Sequence, residues 1–202
     1  RKRGLFQQTF DYKEQESVEI ALSGEYQFIN AVAALEVVEA LRKKGYQIPE
    51  EAVRSGLKET VWKGRFTVVA REPYVIVDGA HNRDAAKRLR ETIEQYLSDK
   101  RLIYIMGVLA DKEYERVIEE TVSFASEIVT VMTPDNERAL PAEKLAEAVA
   151  KYHVPVQAAE SIADAVERAY ALARKEDVIL AFGSLSYLGE LIRQVERRTS
   201  DD

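Results

Sequence analysis

Short apolar runs alternating with amphipathic stretches from about residue 64 onward predict an α/β fold: a doubly wound, mainly parallel sheet of about six strands with one antiparallel edge. Two of these runs, Ile103-Tyr104-Ile105 and Val178-Ile179-Leu180-Ala181, are apolar at every position, as strands are when both faces are covered. A third observation is that Gly, Asp, Asn and Ser cluster directly after the runs, where an open parallel sheet carries its ligand loops. Before residue 64 the texture differs, and a smaller unit of strand and helix precedes the sheet.

Residues 5–22 read as extended, because Val18, Ile20 and Leu22 alternate with Glu19 and Ala21. Ser23-Gly24 breaks that alternation and is expected to cap a helix running to about Lys44, with Ile29, Val32, Leu35, Val38 and Leu41 as its apolar face and Gly45 as its stop. A short helix follows, with Pro49 in its first turn and Gly56 after its end. Phe66–Ala70 and Tyr74–Val77 form a hairpin around Arg71-Glu72-Pro73. Strands are then expected at Leu102–Met106, Ile128–Met132, near Val154–Gln157, and at Val178–Phe182. The helices between and after them cover Lys112–Phe124, Ala142–Tyr152, Ile162–Arg174 and a closing segment from Leu185.

Composition narrows the function classes. With 202 residues the chain fits one large domain, or one domain and part of another. Its 46% hydrophobic and 32% charged residues are those of an ordinary globular protein. A net charge of −6 argues against a nucleic-acid partner, which needs clustered Lys and Arg. No apolar run approaches the ~20 residues of a membrane span, so no membrane partner is expected. Cysteine is absent, which excludes disulfides and thiolate chemistry and fits a reducing, cytoplasmic setting. The opening Arg1-Lys2-Arg3-Gly4, without an initiating Met, reads as a cut inside a longer chain.

Four strand ends carry four polar or small clusters. Asp78-Gly79-Ala80-His81-Asn82 follows Val77, Gly107-Val108-Leu109-Ala110-Asp111-Lys112 follows Met106, the stretch from Thr133 to Pro141 follows Met132, and Gly183-Ser184-Leu185 follows Phe182. The first is the sharpest: Gly79 permits a tight turn, Asn82 can cap the next helix, and that helix start offers free N–H groups to an anion. Read blandly, Asp78 and Asn82 are caps and His81 a surface residue. The other histidine, His153, sits at a helix end and is incidental.

Taken in order, these motifs resemble folylpolyglutamate synthase and its dihydrofolate synthase relatives in the Mur ligase superfamily. Asp78-Gly79-Ala80-His81-Asn82 matches the family's Asp-Gly-Ala-His-Asn, and Trp62, Gly64 and Arg65 match its Trp-x-Gly-Arg. Asp111-Lys112, Thr133-Pro134 with Arg138-Ala139-Leu140 and Leu145, and Gly183-Ser184-Leu185 match three further elements. Upstream, Leu22, Gly24, Gln27, Asn30 and Ala31 match a helix start in which Tyr26 replaces the family's His. The resemblance spans nearly the whole chain.

It implies an ATP-dependent ligase that phosphorylates a folate or dihydropteroate carboxylate and lets the amine of glutamate attack the acyl phosphate. It further implies that residues 1–62 are the tail of a central ATP-binding domain and 63–202 a carboxy-terminal Rossmann-like domain. The phosphate loop and the Mg²⁺ ligands are expected in an amino-terminal part of the same protein, since no G-x-x-x-x-G-K-[ST] occurs here, and the chain is expected to be inactive alone. Carried over position by position, Gln27 and Asn30 contact adenine, Arg65 a phosphate, and Asp78 the nucleotide near its ribose. His81 and Asn82 face the transferred phosphate and the glutamate, with Ser184 nearby; Asp111, Lys112 and Arg138 bind substrate. His81 and Ser184 are the catalytic candidates, and no residue here is a metal ligand. A dinucleotide-dependent oxidoreductase lacks its G-x-G-x-x-G. Another amino-acid ligase of the superfamily and a stand-alone nucleotide-binding module are the alternatives.

Overall fold

The computed structural model describes residues 7–201. Arg1-Lys2-Arg3-Gly4 and the first two residues of the expected extended segment lie outside them. The chain divides into two units, Arg1–Arg65 and Phe66–Asp202.

In the first unit the extended segment is two strands, β1 (Gln8–Tyr12) and β2 (Gln15–Ile20), paired antiparallel with Phe10 opposite Val18. Lys13, at φ 53°, begins the tight reversal between them. Helix α1 (Tyr26–Lys43) and helix α2 (Glu50–Glu59) complete the unit. Its core is Phe10, Val18, Ile20, Phe28, Ala31, Leu35 and Val53. Three expectations change here. Ser23-Gly24 does not cap α1: Glu25 precedes it in helical conformation without a side-chain cap, while Gly24, at φ 104°, turns its carbonyl to the Gln27 N–H. The inward face is set by Phe28, Ala31 and Leu35, leaving Ile29 71% exposed; the three-residue spacing of the apolar positions drifts around a 3.6-residue helix. Gly56 lies inside α2 and does not end it.

The second unit is the expected sheet. β3 (Thr67–Arg71) and β4 (Tyr74–Val77) form the hairpin. The remaining strands are β5 (Leu102–Met106), β6 (Ala125–Thr130), β7 (Val156–Ala158) and β8 (Val178–Phe182). They stand in the order β3-β4-β8-β5-β6-β7, with β4 through β7 mutually parallel and β3 the antiparallel edge. β6 ends at Thr130 rather than Met132, whose side chain is exposed.

The helices are α3 (Arg83–Tyr96), α4 (Tyr114–Thr121), α5 (Ala142–Ala150), α6 (Ile162–Leu172) and α7 (Leu185–Asp201). Buried Tyr104 donates to the Thr121 carbonyl at 3.1 Å, and the Thr130 hydroxyl to the Ala142 carbonyl at 2.8 Å. One pleat of the sheet therefore faces α4 and α5, with α3 packed beside α4. The other pleat, including Val75, Ile103, Val129 and Ile179, packs on Ile162 and Val166 of α6 and Leu188, Leu191 and Val195 of α7. Alternation within continuous apolar runs sends successive side chains to opposite faces, so both helix layers receive a hydrophobic surface.

This winding positions the site. β4 and β5 exit toward the α3–α5 layer, whereas β8 lies between them and exits toward α7. Loops leaving neighbouring strand ends in opposite directions open a crevice at the carboxyl edge. No helix among the described residues is long and apolar enough to cross a membrane.

Candidate functional site

The crevice gathers three loops. Asp78 continues the ladder past β4, its N–H donating to the Ala181 carbonyl at 2.9 Å. One carboxylate oxygen accepts from the Phe66 N–H at 2.8 Å and the other from the Ala80 N–H at 2.9 Å. At 7% exposure Asp78 is thus a buried charge with both oxygens hydrogen-bonded, the arrangement that makes such burial tolerable. The Ala80 carbonyl accepts from the Gly183 N–H at 2.9 Å, and the Phe182 carbonyl from the Gly107 N–H at 3.3 Å. Gly183, at φ 114°, lies so close to its neighbour that a Cβ there would fall 2.5 Å from the Gly107 carbonyl oxygen.

His81 is half-buried, and its Nδ1 stands 2.8 Å from the Gly79 carbonyl. A carbonyl only accepts, so Nδ1 carries the proton and Nε2 is the nitrogen left for a ligand. Asn82 is the N-cap of α3: its side-chain oxygen accepts from the Ala85 N–H at 2.9 Å. Ser184 is 4% exposed, and its hydroxyl oxygen lies 2.5 Å from that of Ser186, whose N–H it also accepts at 3.3 Å. It thereby tethers the first turn of α7. Asp78, His81, Asn82 and Ser184 consequently stand on loops joined directly through the Ala80–Gly183 hydrogen bond.

The other expected residues fall into separate groups. Asp111 and Arg138, from the loops after β5 and β6, form a two-pronged pair with Nε and Nη2 at 3.0 and 2.5 Å from one carboxylate oxygen. The guanidinium holds the Asp111 carboxyl below the usual range. Both are about half exposed, and Lys112 is exposed beside them. In the first unit, Gln27 is buried and accepts from the exposed Asn30 amide at 2.9 Å, so the two do share a helical face. Arg65 is half-buried and follows Gly64, whose φ of 87° turns the backbone.

Two features are not read from the sequence, although residues of its strand-end motifs line part of the first. An 830 Å³ cleft at the same carboxyl edge of the sheet unit is lined by Met132, Pro134, Asn136, Ser161, Leu185 and Arg193, among others. Buried Tyr187, in the first turn of α7, reaches under the strand ends; in the sequence it reads as one more apolar position beside Leu188 and Leu191. Among the described residues no group of three or more His, Asp or Glu side chains is placed to hold a metal ion.

Comparison with known proteins adds to this geometry. Residues 64–185 match the family model described as Mur ligase, glutamate ligase domain. The chain is 33% identical over 177 residues to a probable bifunctional folylpolyglutamate synthase/dihydropteroate synthase of Haloferax volcanii, covering 86% of this chain and 20% of that protein. It is 30% identical over 174 residues to the dihydrofolate synthase/folylpolyglutamate synthase of Escherichia coli, covering 85% and 39%. A solved folylpolyglutamate synthase of Mycobacterium tuberculosis, complexed with ADP and AMPPCP, superposes with a TM-score of 0.75 at 28% identity over 91% of this chain and 42% of its own. The chain thus spans well under half the length of each of these relatives.

Proposed function

Because the chain belongs to the Mur ligase family through its glutamate ligase domain, we propose that it is the carboxy-terminal portion of an ATP-dependent ligase that adds glutamate to folates. The observation that carries this reading is the Asp78–Asn82 loop, locked by two backbone donors to Asp78 and joined to Gly183-Ser184 at the crevice between oppositely exiting strands.

In this reading ATP phosphorylates a folate carboxylate. The amine of glutamate then attacks the acyl carbon, a C–N bond forms, and inorganic phosphate leaves with the C–O bond. Such chemistry rests on alignment and charge stabilisation more than on a covalent protein group. His81 stands at the amino end of α3 with Nε2 available to the transferred phosphoryl group or the incoming glutamate, and Asn82 fixes that helix end. Asp78 holds the loop and lies toward the nucleotide. Ser184 sets the start of α7, and the Asp111–Arg138 pair with Lys112, on the loops after β5 and β6, binds substrate. Gln27 and Asn30 read adenine from residues 1–62, which we assign to the tail of an ATP-binding domain, and Arg65 takes a phosphate. The metal ligands and phosphate loop belong to the remainder of the protein.

The test is a coupled assay of ADP release with the intact protein that carries this sequence, supplied with folate, glutamate and Mg²⁺-ATP. Turnover is expected to require both folate and glutamate. His81→Ala is expected to lower kcat by roughly a hundredfold, the loss of one preorganised hydrogen-bonding group, with the protein still folded. The 202-residue chain alone is expected to show no folate-dependent ADP release. Turnover by that chain alone, or by the intact protein with another amino acid in place of glutamate, would overturn the reading.

A further inference from the structure

Tyr187 is completely buried, yet it is the third residue of the helix that leaves the candidate site. Its hydroxyl lies 2.7 Å from the Phe182 carbonyl, the last residue of β8, and 3.0 Å from the Ile105 carbonyl in neighbouring β5. One proton is shared between two acceptors on two strands. Burial raises the phenol well above the ordinary tyrosine value, so the hydroxyl remains a donor through the whole working pH range.

The ring above that hydroxyl lies close to Gly107: a Cβ there would be 3.1 Å from the Tyr187 ring and 3.1 Å from the Val131 carbonyl oxygen. Gly107 in turn closes on Gly183, and the Gly183 N–H binds the Ala80 carbonyl. Contacts therefore run without a gap from Tyr187 through Gly107 and Gly183 to the Asp78 loop.

We propose that Tyr187 is a positioning residue whose buried hydroxyl pins the ends of β5 and β8 together and so fixes where Gly107, Gly183 and Ser184 stand at the crevice. Its catalytic consequence rests on the ligase reading above; the clamp itself does not. A packed core tyrosine without this role would contribute stability alone. Tyr104 supplies the comparison. It is equally buried and its hydroxyl donates to a single carbonyl, that of Thr121 in α4 and not to any of these loops; its ring packs edge-on against Phe182, a contact that Tyr104→Phe keeps.

The experiment pairs Tyr187→Phe with Tyr104→Phe. Each keeps the ring and loses one buried hydroxyl. Amide hydrogen exchange in the 202-residue chain is expected to quicken about tenfold at Gly107 and Gly183 in Tyr187→Phe, the weight of one buried hydrogen bond, and to be unchanged there in Tyr104→Phe. In the intact protein Tyr187→Phe is expected to lower kcat several-fold while the KM for ATP moves less than twofold, and Tyr104→Phe to do neither. Equal exchange at both glycines in the two variants would overturn the clamp. Quickened exchange with unchanged kcat would overturn its positioning role. An inactive wild-type protein would defeat the ligase reading and the catalytic consequence with it, and the exchange comparison would still decide the clamp.

Discussion

Asp78 shows how one side chain can organise a site before any ligand arrives. A carboxylate at the end of an apolar strand is unfavourable unless its charge is answered, and here two backbone N–H groups twelve residues and two residues away answer it. Hydrogen bonds to a charged acceptor contribute about 1.5–3 kcal/mol each. Asp78→Ala is therefore expected to destabilise the chain by about 3 kcal/mol in urea unfolding, since the Phe66 N–H is left buried without its partner. Asp78→Asn is expected to fall between, because the amide keeps one acceptor but turns an NH₂ toward a donor. A loss below about 0.5 kcal/mol for alanine would show that the loop does not depend on this carboxylate. His81 and Asn82 are legible in the sequence as residue types in a suggestive pentapeptide. That Asp78 commits both oxygens to backbone is not, since Phe66 approaches only when β3 pairs with β4.

At the scale of the element, the β8–α7 junction and helix α2 show glycine in opposite roles. Gly183 needs a positive φ and has no room for a Cβ, so Gly183→Ala combines backbone strain with a clash against the Gly107 carbonyl. A loss of about 2–3 kcal/mol is expected, with displaced amide resonances at Ala80 and Gly107. Gly56 sits inside α2 with open space where a Cβ would go. Gly56→Ala is expected to stabilise by about 0.5–1 kcal/mol through helix propensity and the smaller entropy of the unfolded chain. Chemical denaturation of the two variants checks both signs. The sequence suggests a helix stop at Gly56 because glycine commonly ends helices; no local signal says that the helix continues one more turn.

Across the whole sheet unit, the edge opposite the crevice is held by charge. Arg101, just before β5, donates to Asp177 at 2.7 Å and to the Leu172 carbonyl at 3.0 Å, and also pairs with Glu127 of β6. Burial by itself pushes the Asp177 carboxyl upward, but the Arg174 N–H and the Arg101 guanidinium outweigh it and leave the group below its ordinary value. A lowered carboxyl stabilises the fold fully above the unfolded-state value near 3.9, and that stabilisation is lost as pH falls through the folded value. Asp177→Asn is thus expected to be less stable than wild type by about 2 kcal/mol at neutral pH, with the difference shrinking below about pH 4. A difference that stayed constant down to pH 2 would show that the charge of Asp177 is not what ties these strands.

The sequence alone determined the order and type of nearly every element after residue 64, including β5, β8 and the start of α7. Hydrophobic periodicity, caps and turn residues are properties of a few neighbouring positions, and they survive folding unchanged. It also marked the four strand-end loops, because polar and small residues after an apolar run stand out without any knowledge of their neighbours. Only the tertiary structure decided that β8 inserts between β4 and β5, that Ala80 meets Gly183, and that Tyr187 spans two strand ends. It likewise decided which face of α1 is buried. Each of these depends on pairings between residues far apart in the chain, whose register is fixed by packing the whole sheet between its helix layers and not by any local preference.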